Sequence, residues 1–340
     1  MARQWDVAVV GATGAVGEAI LEILAARQFP VGKLYPLASK RSTGNTLLFK
    51  NKPLLVQDLD EFDFSQVHLA LFSAGGSVSA KYAPRAAAAG CVVIDNTAHF
   101  RYEPDVPLVI SEVNPEAIEG YRERNIIANP NCSTMQMLVA LKPLYDAVGI
   151  SRINVATYQA VSGTGRAAIV ELAEQSGKLL NGLPSEPHVY PKQIAFNVIP
   201  HIDLFQENGY TKEEMKMHWE TQKILNDPLI AVNATAVRVP VFYGHAEAIN
   251  IETRDKITAE QARKILSKAP GVIVMDERVS GGYPTPATEA SGEDAVFVGR
   301  IREDISHDHG LNLWVVSDNV RKGAALNAVQ IAETLLKDYG

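Results

Sequence analysis

A cysteine, a histidine and an arginine are the residues of this chain best suited by type to acyl chemistry. Cys132 follows the turn-forming Asn129-Pro130-Asn131 and opens an amphipathic run from Met135 to Val148. That spacing sets its thiol at a helix N-terminus, where unpaired amides and the positive end of the helix dipole favour thiolate. Burial as a small hydrophobe is the commoner fate of a free cysteine and stands as the alternative. Of eight histidines, His245 shares one short segment, Val237 to Ile251, with Arg238. Histidine is the usual base and then acid beside an activated cysteine, and a guanidinium grips a carboxylate with two hydrogen bonds. Judged alone, His245 reads more readily as a packed or exposed histidine. Gln159, at the end of an alternating run from Ile153, offers an amide to orient a reacting group; an exposed strand glutamine is its bland reading. Glu213 and Lys216 stand three apart at a helix start, as an ion pair or as partners for a zwitterionic or phosphorylated ligand. Arg101 lies in a loop that an anion can reach.

These residues need elements to position them, and the first is a cofactor fold. Val7 to Val10 is an apolar run ending in Gly11-Ala12-Thr13-Gly14-Ala15-Val16-Gly17, and helical spacing follows to Ala26. A strand, a glycine turn and a helix in that order form the dinucleotide fingerprint, with phosphates at the helix N-terminus. Gly11, Thr13, Gly14, Ala15, Val16 and Gly17 are the candidate contacts. After a second strand the loop Ser39-Lys40-Arg41-Ser42-Thr43 holds no acid for ribose hydroxyls but two cations. NADP is therefore preferred to NAD, with Ser39, Arg41, Ser42 and Thr43 around the 2′-phosphate. A solvated basic loop is the alternative. Val67 to Phe72 reads as a buried strand whose carboxyl end carries Ser73 and Gly75, on the ligand side of an open α/β sheet. A second glycine turn holds Ser162, Gly163 and Gly165, and Asn319 precedes the last helical run, placed to reach a nicotinamide amide.

The alternation of strand and helix ends near the cysteine, where longer alternating strands take over. The sequence predicts an α/β chain: a Rossmann-type dinucleotide-binding domain over 1–128, with a C-terminal helix at 320–340 packing back on it, and an α+β domain with a mixed, largely antiparallel sheet over 129–319. Residues 180 to 210, with Pro184, Pro187, Pro191 and Pro200, read as irregular. The chain of 340 residues has 46% hydrophobic and 21% charged residues and a net charge of −7. Nothing in that balance favours nucleic acid. No stretch approaches the roughly 18 apolar residues of a membrane span, and the N-terminus does not read as a signal peptide. Two cysteines are too few for a disulfide framework, so a reducing, cytoplasmic setting is expected. His307-Asp308-His309 lies in a short turn without further ligands, and no metal is expected.

Taken together, the motifs resemble those of the aspartate-β-semialdehyde dehydrogenase family over essentially the whole chain. They are Gly11 to Gly17, Asn129 to Thr134, Tyr158-Gln159 with Ser162 to Gly165, Glu213-Glu214-Met215-Lys216, Arg238 to Glu247, and Ser317 to Gly323. The resemblance implies a glyceraldehyde-phosphate-dehydrogenase-like fold and a homodimer built through the second domain. It also implies NADPH-dependent conversion of L-aspartyl 4-phosphate to L-aspartate 4-semialdehyde, in the pathway to diaminopimelate, lysine, methionine, threonine and isoleucine. By residue it implies Cys132 as nucleophile, His245 as acid/base and Gln159 as orienting group. Arg238 would hold the substrate carboxylate, Glu213 its amino group, and Arg101, Asn131 and Lys216 the phosphate. Thr97-Ala98-His99 and Ser111 depart from the family pattern without removing a reacting group. A related acyl-phosphate reductase, or a silent paralogue serving as a binding subunit, is the competing expectation.

Overall fold

A computed structural model describes residues 4–338, and the chain divides into two compact units, 4–131 with 324–338, and 132–323. The first unit contains β1 (Trp5–Val10), α1 (Ala15–Ala26), β2 (Val31–Ala38), the hairpin β3 (Thr46–Phe49) and β4 (Lys52–Leu55), and β5 (Gln57–Asp58). It continues through β6 (Leu69–Phe72), α2 (Gly76–Ala88), β7 (Val92–Asp95) and β8 (Ile126–Ala128). Six of these strands form a parallel sheet in the order β5-β2-β1-β6-β7-β8. Parallel strands covered on both faces need apolar runs rather than alternation, and Val7 to Val10 and Leu69 to Phe72 are buried throughout. The chain runs outward in both directions from the β1–β6 pair, so their carboxyl ends flank the crevice where an open sheet binds its ligand.

A C-terminal helix, Asn327–Asp338, belongs to this unit. It packs on α1, and Glu333 accepts two hydrogen bonds from Arg27 at 2.8 and 2.7 Å. Asn327 donates to Val109 O at 2.8 Å and to Asn129 Oδ1 at 2.6 Å. The helix is shorter than the expected 320–340 because a wide turn, Arg321–Leu326, precedes it. Residues 1–3 and 339–340 of the two expected spans lie outside the described residues.

The second unit holds α3 (Cys132–Val148), β9 (Ile150–Gln159), α4 (Arg166–Leu180), α5 (Lys212–Leu225), β10 (Ala231–Arg238) and β11 (His245–Thr253). It is completed by α6 (Ala259–Leu266), β12 (Val272–Val274), β13 (Val296–Glu303) and β14 (Gly310–Ser317). The sheet order is β10-β9-β11-β14-β13-β12; the inner pairings are antiparallel and the two outer ones parallel. Alternation in β9 turns Val155, Thr157 and Gln159 to the buried face and Asn154 and Tyr158 outward. β10 stops at Arg238. Pro240 cannot donate to a ladder, and Gly244 turns the chain at φ +88°. Residues 181–211 carry only isolated bridges. Among the described residues no helix is long and apolar enough to cross a membrane.

Candidate active site

In the second unit the nucleophile candidate heads a helix. Cys132 is the first residue of α3, half-buried, and neither cysteine is in a disulfide. A backbone turn presses against it: a Cβ on Gly323 would fall 2.7 Å from Cys132 Cβ. No side chain fits at 323 unless Cys132 or the turn itself shifts. The other cysteine is a contrast, since burial pushes the Cys91 thiol up to about 12 and leaves it inert.

His245 opens β11 and is wholly buried. Its Nδ1 accepts the backbone N–H of Ala160 at 3.1 Å, while Nε2 has no partner among the described residues. Burial, helped by the Arg238 charge and opposed by Glu213, drops its pKa to about 3. Arg238, also buried at the end of β10, donates Nη1 to Ala160 O at 2.7 Å and leaves Nε unpartnered. The backbone of one residue, Ala160, therefore holds both side chains. Between them lies Gly163, whose added Cβ would meet Arg238 Nη1 at 3.0 Å and His245 Cε1 at 3.3 Å. A glycine there leaves room for a small ligand against two buried polar groups.

Gln159 joins the thiol's neighbour to the acidic helix. Its Nε2 lies 2.9 Å from Ser133 Oγ and 3.1 Å from Glu213 Oε1. Glu213 Oε2 accepts from Lys216 Nζ at 2.9 Å. The adjacent acid is committed elsewhere: Glu214 closes a capping box with Thr211 and accepts the Ala236 N–H at 3.0 Å, tying α5 to β10. Glu213 is thus the acid that faces the site. Lys216 also donates to Asp203 at 2.8 Å. Its own burial opposes the charge, but the two carboxylates prevail and push its pKa up.

Asn319 is held by two segments of the second unit. Its Oδ1 accepts the Gly244 N–H at 2.9 Å and its Nδ2 donates to Ser162 Oγ at 3.0 Å, so it braces the second glycine turn against the residue before His245. In that turn Gly165 adopts φ +100° as N-cap of α4.

The first unit carries the candidate cofactor residues. Gly11 takes φ +84°, and a Cβ on Gly17 would fall 2.3 Å from Gly11 O, so the turn and the helix packing require glycine. Gly14 is the N-cap of α1 and offers no side chain to its first amides, an arrangement that suits a phosphate; Thr13, Ala15 and Val16 flank it half-buried. At the neighbouring strand end Ser73 Oγ donates to Val10 O at 3.1 Å, and Gly75, at φ +96°, caps α2 without a side chain. After β2, Lys40 to Ser42 forms a short 3₁₀ turn with Ser39, Arg41 and Thr43 exposed. The structure adds an acid that the loop itself lacks: Asp58 of β5 pairs in register with Ala38, its Oδ1 turned to the Asp60 N–H at 3.1 Å. Arg101 is buried, donating Nε to Asn129 O and Nη2 to Asn96 O, both at 2.9 Å, and Asn131 is buried too.

Three residues escaped the sequence reading: Gly323, Asp203 and Glu247. Glu247 follows His245 by two on the same buried face of β11, with Gln136 beside it, and burial raises its pKa well above the carboxylate range. A buried acid thus shares the histidine's face of the strand. Gly323 and Glu247 left a signal, as the ends of the motifs from Ser317 and from Arg238.

The chain matches two family models, semialdehyde dehydrogenase NAD binding domain over residues 6–121 and semialdehyde dehydrogenase dimerisation domain over residues 141–322. It is 65% identical over 339 residues to aspartate-semialdehyde dehydrogenase of Shewanella sp. strain DB6705, covering 100% of both chains. A crystal structure of aspartate semialdehyde dehydrogenase II from Vibrio cholerae, complexed with ASA, superposes with a TM-score of 0.98 at 63% identity and 100% coverage of each chain. The Candida albicans enzyme, solved with NADP, superposes with a TM-score of 0.77 at 26% identity over 98% of each chain. Identity of this order along the whole length, on two units that match both domain models, means that the chain belongs to the aspartate-semialdehyde dehydrogenase family.

Proposed function

We propose that this protein catalyses the reversible, NADPH-dependent reduction of L-aspartyl 4-phosphate to L-aspartate 4-semialdehyde with release of phosphate, in the biosynthesis of lysine and diaminopimelate, methionine, threonine and isoleucine. One observation carries the reading: Arg238 and His245 converge on Gly163, through Nη1 and Nε2, in the unit whose helix α3 opens with Cys132, and each has a buried polar atom, Arg238 Nε and His245 Nε2, without a partner among the described residues. A carboxylate on the first and a reacting acyl oxygen on the second would satisfy both. Glu213 supplies the charge for an α-ammonium. Lys216 of the second unit and Arg101 and Asn131 of the first are the phosphate candidates.

The chemistry follows from those groups. Thiolate 132 attacks the acyl phosphate, and the C–O bond to phosphate breaks as the thioester forms. Because Nδ1 accepts the Ala160 N–H, the His245 proton resides on Nε2, and Nε2–H donates a hydrogen bond to the acyl oxygen as negative charge develops there. A nicotinamide, when bound, would supply hydride to the thioester carbon. The thiohemiacetal oxyanion, held by the same Nε2–H of His245, then collapses to aldehyde as the C–S bond breaks and thiolate 132 leaves. Gln159, fixed by Ser133 and Glu213, orients the acyl group.

NADP(H) fits the first unit's uncapped helix start and its exposed Lys40 and Arg41. Gly11, Thr13, Gly14, Ala15, Val16, Gly17, Ser39, Arg41, Ser42, Thr43, Ser73 and Gly75 are its proposed contacts there, and Ser162, Gly163, Gly165 and Asn319 in the second unit. A homodimer is proposed through the outer face of the second unit's sheet. That face carries half-exposed Tyr158 with its ring 5.7 Å from Trp314, in the span that the dimerisation model matches. A thiol mechanism suits a reducing compartment, the cytoplasm. The test is NADP⁺ reduction by aspartate semialdehyde with and without phosphate, run beside NAD⁺. Dependence on phosphate and on Cys132, with NADPH binding intact in Cys132→Ala, is the expected result; turnover by that variant overturns the mechanism.

A further inference from the structure

Lys216 is held between two carboxylates, Glu213 at 2.9 Å on its own helix and Asp203 at 2.8 Å on the irregular segment before it. Asp203 is built into place. Its backbone takes φ +68°, a conformation that costs free energy for any residue but glycine and is least costly for Asn and Asp. Its neighbour Leu204 accepts the Lys212 N–H at 2.7 Å, and Phe205 bridges to Thr211, so the loop is pinned to the start of α5. Asp203 Oδ1 accepts the Leu204 N–H at 2.9 Å, which turns Oδ2 to the lysine.

A lone Glu213–Lys216 pair would be neutral, and a Glu213 fully satisfied by Lys216 would offer little to a second cation. With Asp203 the group of two carboxylates and one ammonium carries one net negative charge. We propose that Asp203 is a positioning and specificity residue: it takes a share of the Lys216 ammonium, so that Glu213 keeps charge for the amino group of the substrate. The inference rests on the reading of Glu213 given above. When Glu213 turns to the incoming ammonium, Lys216 retains a carboxylate partner and its place. The rest of the site agrees in charge, since buried Arg238 balances the substrate carboxylate and leaves the ammonium to this cluster.

The test compares aspartate semialdehyde with succinate semialdehyde, which keeps the aldehyde and carboxylate and lacks the amino group. The ratio of their kcat/KM values is measured for the full chain and for Asp203→Asn, which tolerates the same backbone conformation, and for Asp203→Gly, which relieves it; thermal unfolding checks that each variant is folded. Loss of one charge-assisted contact predicts that the ratio falls about tenfold in both variants. The change should lie mainly in the KM for aspartate semialdehyde. A loop that served only as scaffold would move both substrates together and leave the ratio alone. If wild-type protein discriminates and a folded variant discriminates equally well, the proposal is overturned by itself. If wild-type protein uses both aldehydes equally, the reading of Glu213 fails and takes the proposal with it.

Discussion

Ala160 gives its backbone N–H to Nδ1 of His245 at 3.1 Å, and that bond decides where the imidazole keeps its proton. A cation would need a hydrogen on Nδ1 and would set two N–H groups against each other, and burial already holds the pKa to about 3. The folded protein therefore refuses a proton that the unfolded chain accepts below about pH 6.5. This group's contribution to stability is full above that pH and is lost as pH falls from there towards 3. Denaturant titrations at pH 7 and pH 5 should show His245→Gln losing less stability between them than wild type, by up to about 2 kcal/mol. An equal loss in both proteins would mean that the folded histidine takes up the proton.

Glu247 works in the opposite sense. Burial holds its carboxyl protonated above the usual range, so above about pH 4.5 folding must retain a proton that the unfolded chain has released. Its folded state is at full strength below that pH and weakens as pH rises. Glu247→Gln keeps the shape without the titration and should melt higher than wild type at pH 8, with the difference closing towards pH 4. A lower melting temperature at pH 8 would show that the carboxylate is ionised and paired.

Gly323→Ala should separate packing from cofactor binding. The new Cβ lies 2.7 Å from Cys132 Cβ, so Cys132 or the turn itself must shift, and a displacement of that kind costs on the order of 100-fold in kcat/KM. Fluorescence titration should find NADPH binding nearly unchanged, and the rate of thiol alkylation should change alongside turnover.

Arg41→Ala tests the coenzyme choice. Removing an exposed cation from the turn after β2 should raise the KM for NADP⁺ about tenfold and leave the KM for NAD⁺ as it was. A matching rise for both would assign the 2′-phosphate to other residues.

What could be read from sequence was what one stretch contains within itself. Gly11, Gly14 and Gly17 spell a turn between a strand and a helix, and Gly11 and Gly17 are required within that turn. Cys132 after Asn131 announces a helix start in the same way. What depends on distant strands was silent. Gly323 has no side chain to advertise its contact with Cys132, and Asp203 stands in a proline-rich stretch with no periodicity to give it a face. Asp58 reaches the end of β2 only because β5 pairs beside it. Asn319 was legible as a polar residue near the site, yet its brace between Ser162 and Gly244 joins three segments far apart in sequence.

The first unit is discontinuous in the chain, and this sets an order of assembly. The helix Asn327–Asp338, with Glu333 on Arg27 and Asn327 on Asn129, belongs to a core whose strands all precede Cys132. During synthesis the whole second unit emerges from the ribosome before that helix does. The parallel sheet must therefore wait, its α1 face uncovered, while a later and contiguous neighbour has all its residues in hand. Fragments stopping short of residue 324 should be the ones that chaperones retain.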